Sequence, residues 1–535
     1  MDFDVIVIGS GFGGAITSCR LAEAGYKVLI LERGRRWDKS NYPRTPTDPW
    51  IWDHNHPEQR NGWLDLRVFP NMTIAQGAAV GGGSLIYANI SVEPKPEVFL
   101  SGWPAEIRYD VLKPHYDSVG QFMNVQKVPR PPDAPQDQRS KRQFLMIEAA
   151  NALGYGDRFV ELELAVSFDP NWTYNQPDPH NPNKSVRFLN AQGVEQGTCV
   201  HLGNCDIGCD VDAKNTLDRN YIPWAERHGA EVRPHHLVST IEPVTGGYRV
   251  SYDRLENGGR IAGSQTARLV IVAAGSLGST EMLLRAKEHY RTLPQISNFL
   301  GRNWSSNGDF LTPAIHPGRQ ISPTRGPTIS CAIDFLRDGG INHQKFWVED
   351  GGLPDVIGNL ARGWSGQSFQ NFRAQLLITA IQDLLRSQDP FVNVMPWFAQ
   401  GVDAADGQFS LRRQFFGLFG PKRLHLAWDI TRSEAVFNEI VNMHTRLAQA
   451  TDGTVLVPPT WSLGRDLITP HPLGGCNMGA TAATGVVNHL GEVFGYRNLY
   501  VADAAIIPTA LGVNPSRTIG ALAERIAQRI AAEGR

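Results

Sequence analysis

Apolar residues gather in short unbroken runs at both ends of the chain and near its middle. Val5–Ile8 is the first, four apolar residues in a row, as in a strand buried on both faces of a parallel sheet. The period then changes: Ala15, Ile16, Cys19, Leu21 and Ala22 recur at helical spacing and stop at Gly25. Val28–Leu31 reads as a second buried strand, closed by Glu32. Residues 268–273 form a third, ending in a small-residue turn at Ala274 ahead of a helix. Leu499–Ala502, closed by Asp503, is a fourth, and Ile519, Leu522, Ile526 and Ile530 then share one face of a helix. Residues 368–385 place Phe369, Phe372, Leu376, Ala380 and Leu384 on one helical face, which predicts a core helix. The proline-rich stretches 128–138 and 178–185 read as surface loops or lids.

Between the first strand and its helix lie Gly9, Gly11 and Gly14 in the spacing GxGxxG. Gly9 permits the tight turn, Gly11 lets the backbone approach a pyrophosphate, and Gly14 lets helix and strand pack closely. The helix N-terminus offers free N–H groups to phosphates, and Glu32 stands where a ribose is bound. GxGxxG alone is weak, but here the whole strand–turn–helix–strand–acid unit is present, which predicts a dinucleotide site. The C-terminal strand–Asp503–helix return favours FAD over NAD, because an NAD site needs no partner so far along the chain.

Composition narrows the class. With 535 residues, 41% hydrophobic and 19% charged, the chain reads as an ordinary globular protein too long for one simple core. The near balance of 51 Lys+Arg against 53 Asp+Glu gives no support to nucleic-acid or anionic-membrane partners. No apolar run approaches the length of a spanning helix, so no transmembrane segment is expected. No signal peptide is evident ahead of the first strand, so the expectation is a cytoplasmic protein, or one exported with its presequence absent from this chain.

The stretch 466–479, DLITPHPLGGCNMG, sets His471 between two prolines and ahead of two glycines, a way of aiming one side chain. By itself it reads first as a histidine satisfied in a turn. Across the whole chain, however, VIVIGSGFGGA, GGGSLIYANISVEP (81–94), VIVAAGSLGSTEMLL (270–284), GRNWSSNGD (301–309), PHPLGG (470–475) and GVNP (512–515) resemble the glucose–methanol–choline oxidoreductases. The likeness is greatest to the bacterial cholesterol oxidases that hold FAD non-covalently. It implies an α/β fold: a Rossmann-like FAD-binding domain built from 1–36, 70–95, 195–310 and 460–535. A substrate-binding lobe with a mainly antiparallel sheet, plus lid loops, would take 37–69, 96–194 and 311–459. It further implies that Gly81, Gly82, Gly83, Ser84 and Asn89 run past the cofactor, joined by Ala274, Asp503 and Asn514.

The same resemblance implies that His471 handles the proton of a substrate hydroxyl while hydride passes to the flavin. Asn514 would orient the substrate oxygen or the reduced flavin. Glu349, followed by DGGLP, falls where such oxidases carry a glutamate that moves a proton during double-bond isomerisation. "ED" ahead of "GGLP" also reads as a solvated turn, and both readings stand. Tyr87, where the family often has asparagine, and Pro470, where the cholesterol oxidases have an aromatic residue, depart from the pattern and put steroid specificity in question.

Cys199, His201, Cys205 and Cys209 fall within eleven residues, a set able to ligate zinc or an iron–sulfur cluster, although the spacing matches no common ribbon. Buried thiols or a local disulfide are the alternative, and the expectation is no metal. The leading expectation is FAD-dependent oxidation of a bulky apolar secondary alcohol, plausibly a 3β-hydroxysteroid, with dioxygen or another acceptor reoxidising the flavin. The alternatives are a long-chain or aromatic alcohol oxidase of the same family, or a flavin and metal electron carrier using the cysteine cluster.

Overall fold

The computed structural model describes residues 1–130, 139–354, 391–413 and 421–534. The helix expected over 368–385 and part of the loop at 128–138 lie outside these residues. The first sheet holds five parallel strands in the order Glu231–Arg233, Val28–Leu31, Phe3–Ile8, Gly259–Val272 and Leu499–Val501. Branched apolar side chains fill both of its faces, as a parallel sheet between helices requires. Gly259–Val272 is longer than its apolar run predicts. Its last residues sit in the parallel sheet, while its polar first half pairs antiparallel with Gly247–Glu256, which in turn pairs with His236–Val244.

The parallel strands end along one edge, at Gly9, Glu32, Ala273 and Ala502. In open α/β sheets this carboxyl edge is where ligands bind. Behind it, helix Phe12–Glu23 packs on the C-terminal helix Ser516–Glu533, locked by Arg20 to the buried Glu524 at 2.6 Å. Two remote ends of the chain therefore meet in one layer. Two glycines keep this helix close to the sheet: a Cβ on Gly14 would stand 2.0 Å from the Gly9 carbonyl oxygen and 3.3 Å from Ala273 Cβ. Gly13, which the motif does not mark, is as tight, since a Cβ there would stand 1.7 Å from the Ala502 carbonyl oxygen.

The second sheet is antiparallel throughout, in the order Thr454–Val455, Phe310–Ile315, Val394–Gly401, Phe346–Asp350, Cys331–Phe335 and Phe159–Glu161. One face packs on helix Glu434–Gln449, with the Phe310 and Phe437 rings 6.1 Å apart. A third, small sheet joins the hairpin Leu64–Phe69 and Met72–Gly77 to Leu467–Thr469, which delivers the chain to His471. The domain boundary expected between residues 69 and 70 falls inside this hairpin.

Gly13→Ala is expected to force helix Phe12–Glu23 off the strand ends, at a cost of roughly 1–3 kcal/mol for overpacking. Thermal unfolding measures this, and an unchanged midpoint would contradict the close contact.

Candidate active site

His471 is held from below by an acid that its own motif does not contain. Its Nδ1–H donates to Asp309 Oδ1 at 2.9 Å. Asp309 is 1% exposed, and its other oxygen accepts the Thr469 hydroxyl at 2.5 Å, while that hydroxyl accepts the His471 backbone N–H. With an anionic carboxylate at Nδ1 the proton belongs there. Nε2, which makes no hydrogen bond among the described residues, is left with its lone pair free. Burial alone pushes the imidazole pKa down. The charge and hydrogen bond of Asp309, helped by Glu349, outweigh it and hold the pKa above the ordinary 6.5. Burial likewise raises Asp309, against the pull of His471 and Thr469.

The glycines behind His471 are needed for two reasons at once. Gly474 and Gly475 both have positive φ, and a Cβ on either would stand within 2.2 Å of the Asn303 carbonyl or the Thr280 hydroxyl. Leu473 and Ser305 exchange backbone hydrogen bonds at 3.0 Å, so segments 301–309 and 471–476 run zipped together. The turn reading of His471 is thus half right: it is a turn, built onto a buried carboxylate.

Glu349 is not in a solvated turn. It lies in strand Phe346–Asp350, 0% exposed, with its carboxyl oxygens accepting Trp347 Nε1–H at 2.9 Å and Gln400 Nε2–H at 3.1 Å. Burial pushes its pKa up to about 7, against the pull of these two donors and of His471. Register puts Leu311, Phe398, Glu349 and Ala332 in one cross-strand row, hence on one face of the second sheet. Pro313 and Pro396 extend that face, and the Phe398 ring centroid is 6.3 Å from that of His471. Leu311 on the same row is 44% exposed. The result is a row of apolar side chains with the Glu349 carboxyl set into it and the imidazole at its side.

Gly9, Gly11, Glu32, Gly81, Gly82, Ala274 and Asp503 lie together along the carboxyl edge of the first sheet. The loop Gly81–Ser84 lies directly on the dinucleotide turn: a Cβ on Gly82 would stand 2.6 Å from Gly11 Cα, and Gly81 N–H donates to Ser10 Oγ. The Ser10 hydroxyl in turn donates to Glu32 at 2.7 Å, and Glu32 also accepts the Gly34 N–H. Ser84 faces inward, donating to the Gly81 carbonyl and accepting the Leu217 N–H, so it braces the loop. Asp503 accepts from Gly275 N–H, Ser279 and Ala505 N–H, and burial raises its pKa to about 6. It fastens the turn holding Ala274 to the last strand.

These residues fit a flavin dinucleotide. Gly11 and Gly83 look onto open space, with nothing within 4 Å of where a Cβ would be. Among the described residues, both polar side-chain atoms of Asn89 and Oδ1 of Asn514 are buried without a hydrogen-bond partner, a costly state that a bound polar ring system would relieve. Tyr87, the departure noted beside Asn89, points elsewhere and donates to the Asn215 carbonyl.

The cysteine cluster does not assemble as a metal site. All six cysteines are free thiols, and among the described residues no three His, Cys, Asp or Glu side chains gather as a metal ion requires. His201 is stacked on Trp172, centroids 3.8 Å apart, with Nδ1 at 3.0 Å from the Tyr174 hydroxyl. The segment instead braces the cofactor loop: Lys214 Nζ donates to the carbonyls of Leu85 and Cys205. No described helix is long and apolar enough to cross a membrane.

Known proteins match this chain from end to end. Residues 428–523 match the family model described as GMC oxidoreductase, and residues 7–37 match an NAD(P)-binding Rossmann-like domain. A cholesterol oxidase of Acinetobacter baumannii is 30% identical over 99% of this chain and 95% of its own length. One from Mycobacterium tuberculosis is 32% identical over 98% and 90%. The crystal structure of pyridoxine 4-oxidase from Mesorbium loti shares the fold, with a TM-score of 0.64, 16% identity and complete coverage of both chains. A dinucleotide edge and an imidazole held on a buried carboxylate, together with relatives at least 30% identical over nearly their full length, make this chain a member of the glucose–methanol–choline oxidoreductases, FAD-dependent enzymes that oxidise alcohols.

Proposed function

We propose that this enzyme oxidises a bulky apolar secondary alcohol, a 3β-hydroxysteroid or a molecule of that shape, on non-covalently bound FAD. The observation that carries the reading is the broad apolar face of the second sheet, Leu311, Pro313, Pro396 and Phe398, with Glu349 set into it beside His471. The relatives named cholesterol oxidase support it.

Gly9, Gly11 and Gly14 with the N-terminus of helix Phe12–Glu23 would take the diphosphate, and Glu32 a ribose. Gly81–Gly83, Asn89, Ala274 and Asn514 would line the remainder, fastened by Ser84 and Asp503. Bound there, FAD supplies the hydride acceptor, and dioxygen or another acceptor takes the electrons onward. His471 Nε2 accepts the carbinol proton, and Asp309 stabilises the imidazolium that results. Asn514 orients the substrate oxygen. Glu349, poised near neutrality, can then take a proton from the carbon beside the new carbonyl and return it across a neighbouring double bond. That moves the double bond into conjugation with no net change in atoms or electrons.

Anaerobic mixing of the yellow enzyme with 3β-hydroxysteroids, long-chain alcohols and aromatic alcohols identifies the substrate class. Steroids are expected to bleach the flavin; bleaching by the other alcohols alone would reassign it. His471→Ala is expected to keep FAD and lose about 10²–10⁴-fold in the bleaching rate, the usual worth of a general base, and an undiminished rate would exclude the role. In the wild type the rate should rise with pH as His471 loses its proton, at a value above 6.5 because its pKa is raised. Asp309→Asn removes the charge that raises it, so stopped-flow pH profiles should show the rise moving to lower pH. Glu349→Gln should retain oxidation, yield only unconjugated ketone, and abolish an infrared carboxylic-acid band that fades in the wild type as pH passes about 7. A conjugated product from Glu349→Gln would assign the isomerisation to another group.

A further inference from the structure

Asn307 stands two residues before Asp309 and is 0% exposed. Its side chain makes three hydrogen bonds to three consecutive backbone positions. Oδ1 accepts the N–H of Leu511 at 2.9 Å and of Gly512 at 3.1 Å, and Nδ2 donates to the Val513 carbonyl at 2.9 Å. The next residue is Asn514, whose own Oδ1 has no partner. Asn307 is itself fixed from the far side. Its N–H donates to Ser305 Oγ and its carbonyl accepts the Gly401 N–H, while the buried Asp403 carboxylate takes the hydroxyls of Ser305 and Ser306 and the Ser306 N–H. Gly512 has positive φ and packs close to Leu336, where a Cβ would stand 2.8 Å from Cδ2.

A side chain with three bonds to three successive backbone positions is a template for that backbone. We propose that Asn307 is a positioning residue: it sets the Leu511–Val513 backbone so that Asn514 enters the site beside His471, while Asp309, on the same turn, sets His471. One rigid turn, 305–309, thereby registers both polar groups against each other. The inference rests on the reading of Asn514 as a group at the flavin. It adds a residue with no chemistry of its own.

The test uses FAD-loaded enzyme and sulfite, which reversibly bleaches flavins and reports the polar surroundings of the ring without needing the natural substrate. Asn514→Ala is expected to change the sulfite dissociation constant by about tenfold, within the range for coupled neighbours. Asn307→Ala should change it in the same direction, and the double variant should differ little from Asn514→Ala, because both remove one arrangement. Asn307→Asp, which keeps both acceptor bonds and loses the donor to Val513, should fall between, and it serves alone if the alanine variant does not fold. A purely structural role would lower the melting temperature and leave the constant unmoved; that result, or additive effects in the double variant, overturns the proposal. If Asn514→Ala itself retains FAD with unaltered sulfite affinity, the reading of Asn514 has failed, and Asn307 has nothing to position.

Discussion

The hydrogen bond from His471 to Asp309 is the contact on which the site is built. A carboxylate taken out of water must be met by donors, and Asp309 has two: the imidazole Nδ1–H and the Thr469 hydroxyl. Removing one partner of a buried pair typically costs about 3–5 kcal/mol, so the imidazole is not free to turn. The same bond decides the tautomer and therefore which nitrogen faces the pocket. The backbone around it follows from that need. Gly474 and Gly475 take left-handed conformations so that their strand can lie against Asn303 and Thr280, and the turn at Asn307 and Gly308 does the same from the opposite side.

Two sheets with different rules meet at this pair. The parallel sheet is apolar on both faces and offers only its carboxyl edge, where glycines, N–H groups and two unsatisfied asparagines gather. The antiparallel sheet has one face closed by helix Glu434–Gln449 and the other available as an apolar floor. Strand Phe310–Ile315 links them, since it begins immediately after Asp309. Residues that hold the imidazole and residues that form the floor are thus neighbours along the chain, which keeps the two in register without a long lever.

Local pattern was enough for the parallel sheet. Branched runs ending in glycine or acid marked four of its five strands, and the GxGxxG spacing marked the turn. It did not mark Gly13, which meets the strand ends as closely as Gly14 does but lies outside the GxGxxG positions. Glu349 was ambiguous for a physical reason: in FWVED both faces are buried, so the alternation that identifies a half-exposed strand is missing. Asp309 and Asn307 were hidden because their partners lie 162 and about 204–206 positions away. Only the quoted GRNWSSNGD motif marked the place. The clustering of Cys199, His201, Cys205 and Cys209 left metal as the lesser of two readings; His201 stacks on Trp172, and spacing along a loop carries no information about such a neighbour.

The most direct test is a crystal structure of the FAD-loaded enzyme at a resolution that defines ring orientation. His471 should keep Nδ1 on Asp309 and turn Nε2 toward the isoalloxazine, with Asn514 on the same side of the ring. An imidazole that has left Asp309, or that faces away from the flavin, would contradict the arrangement described.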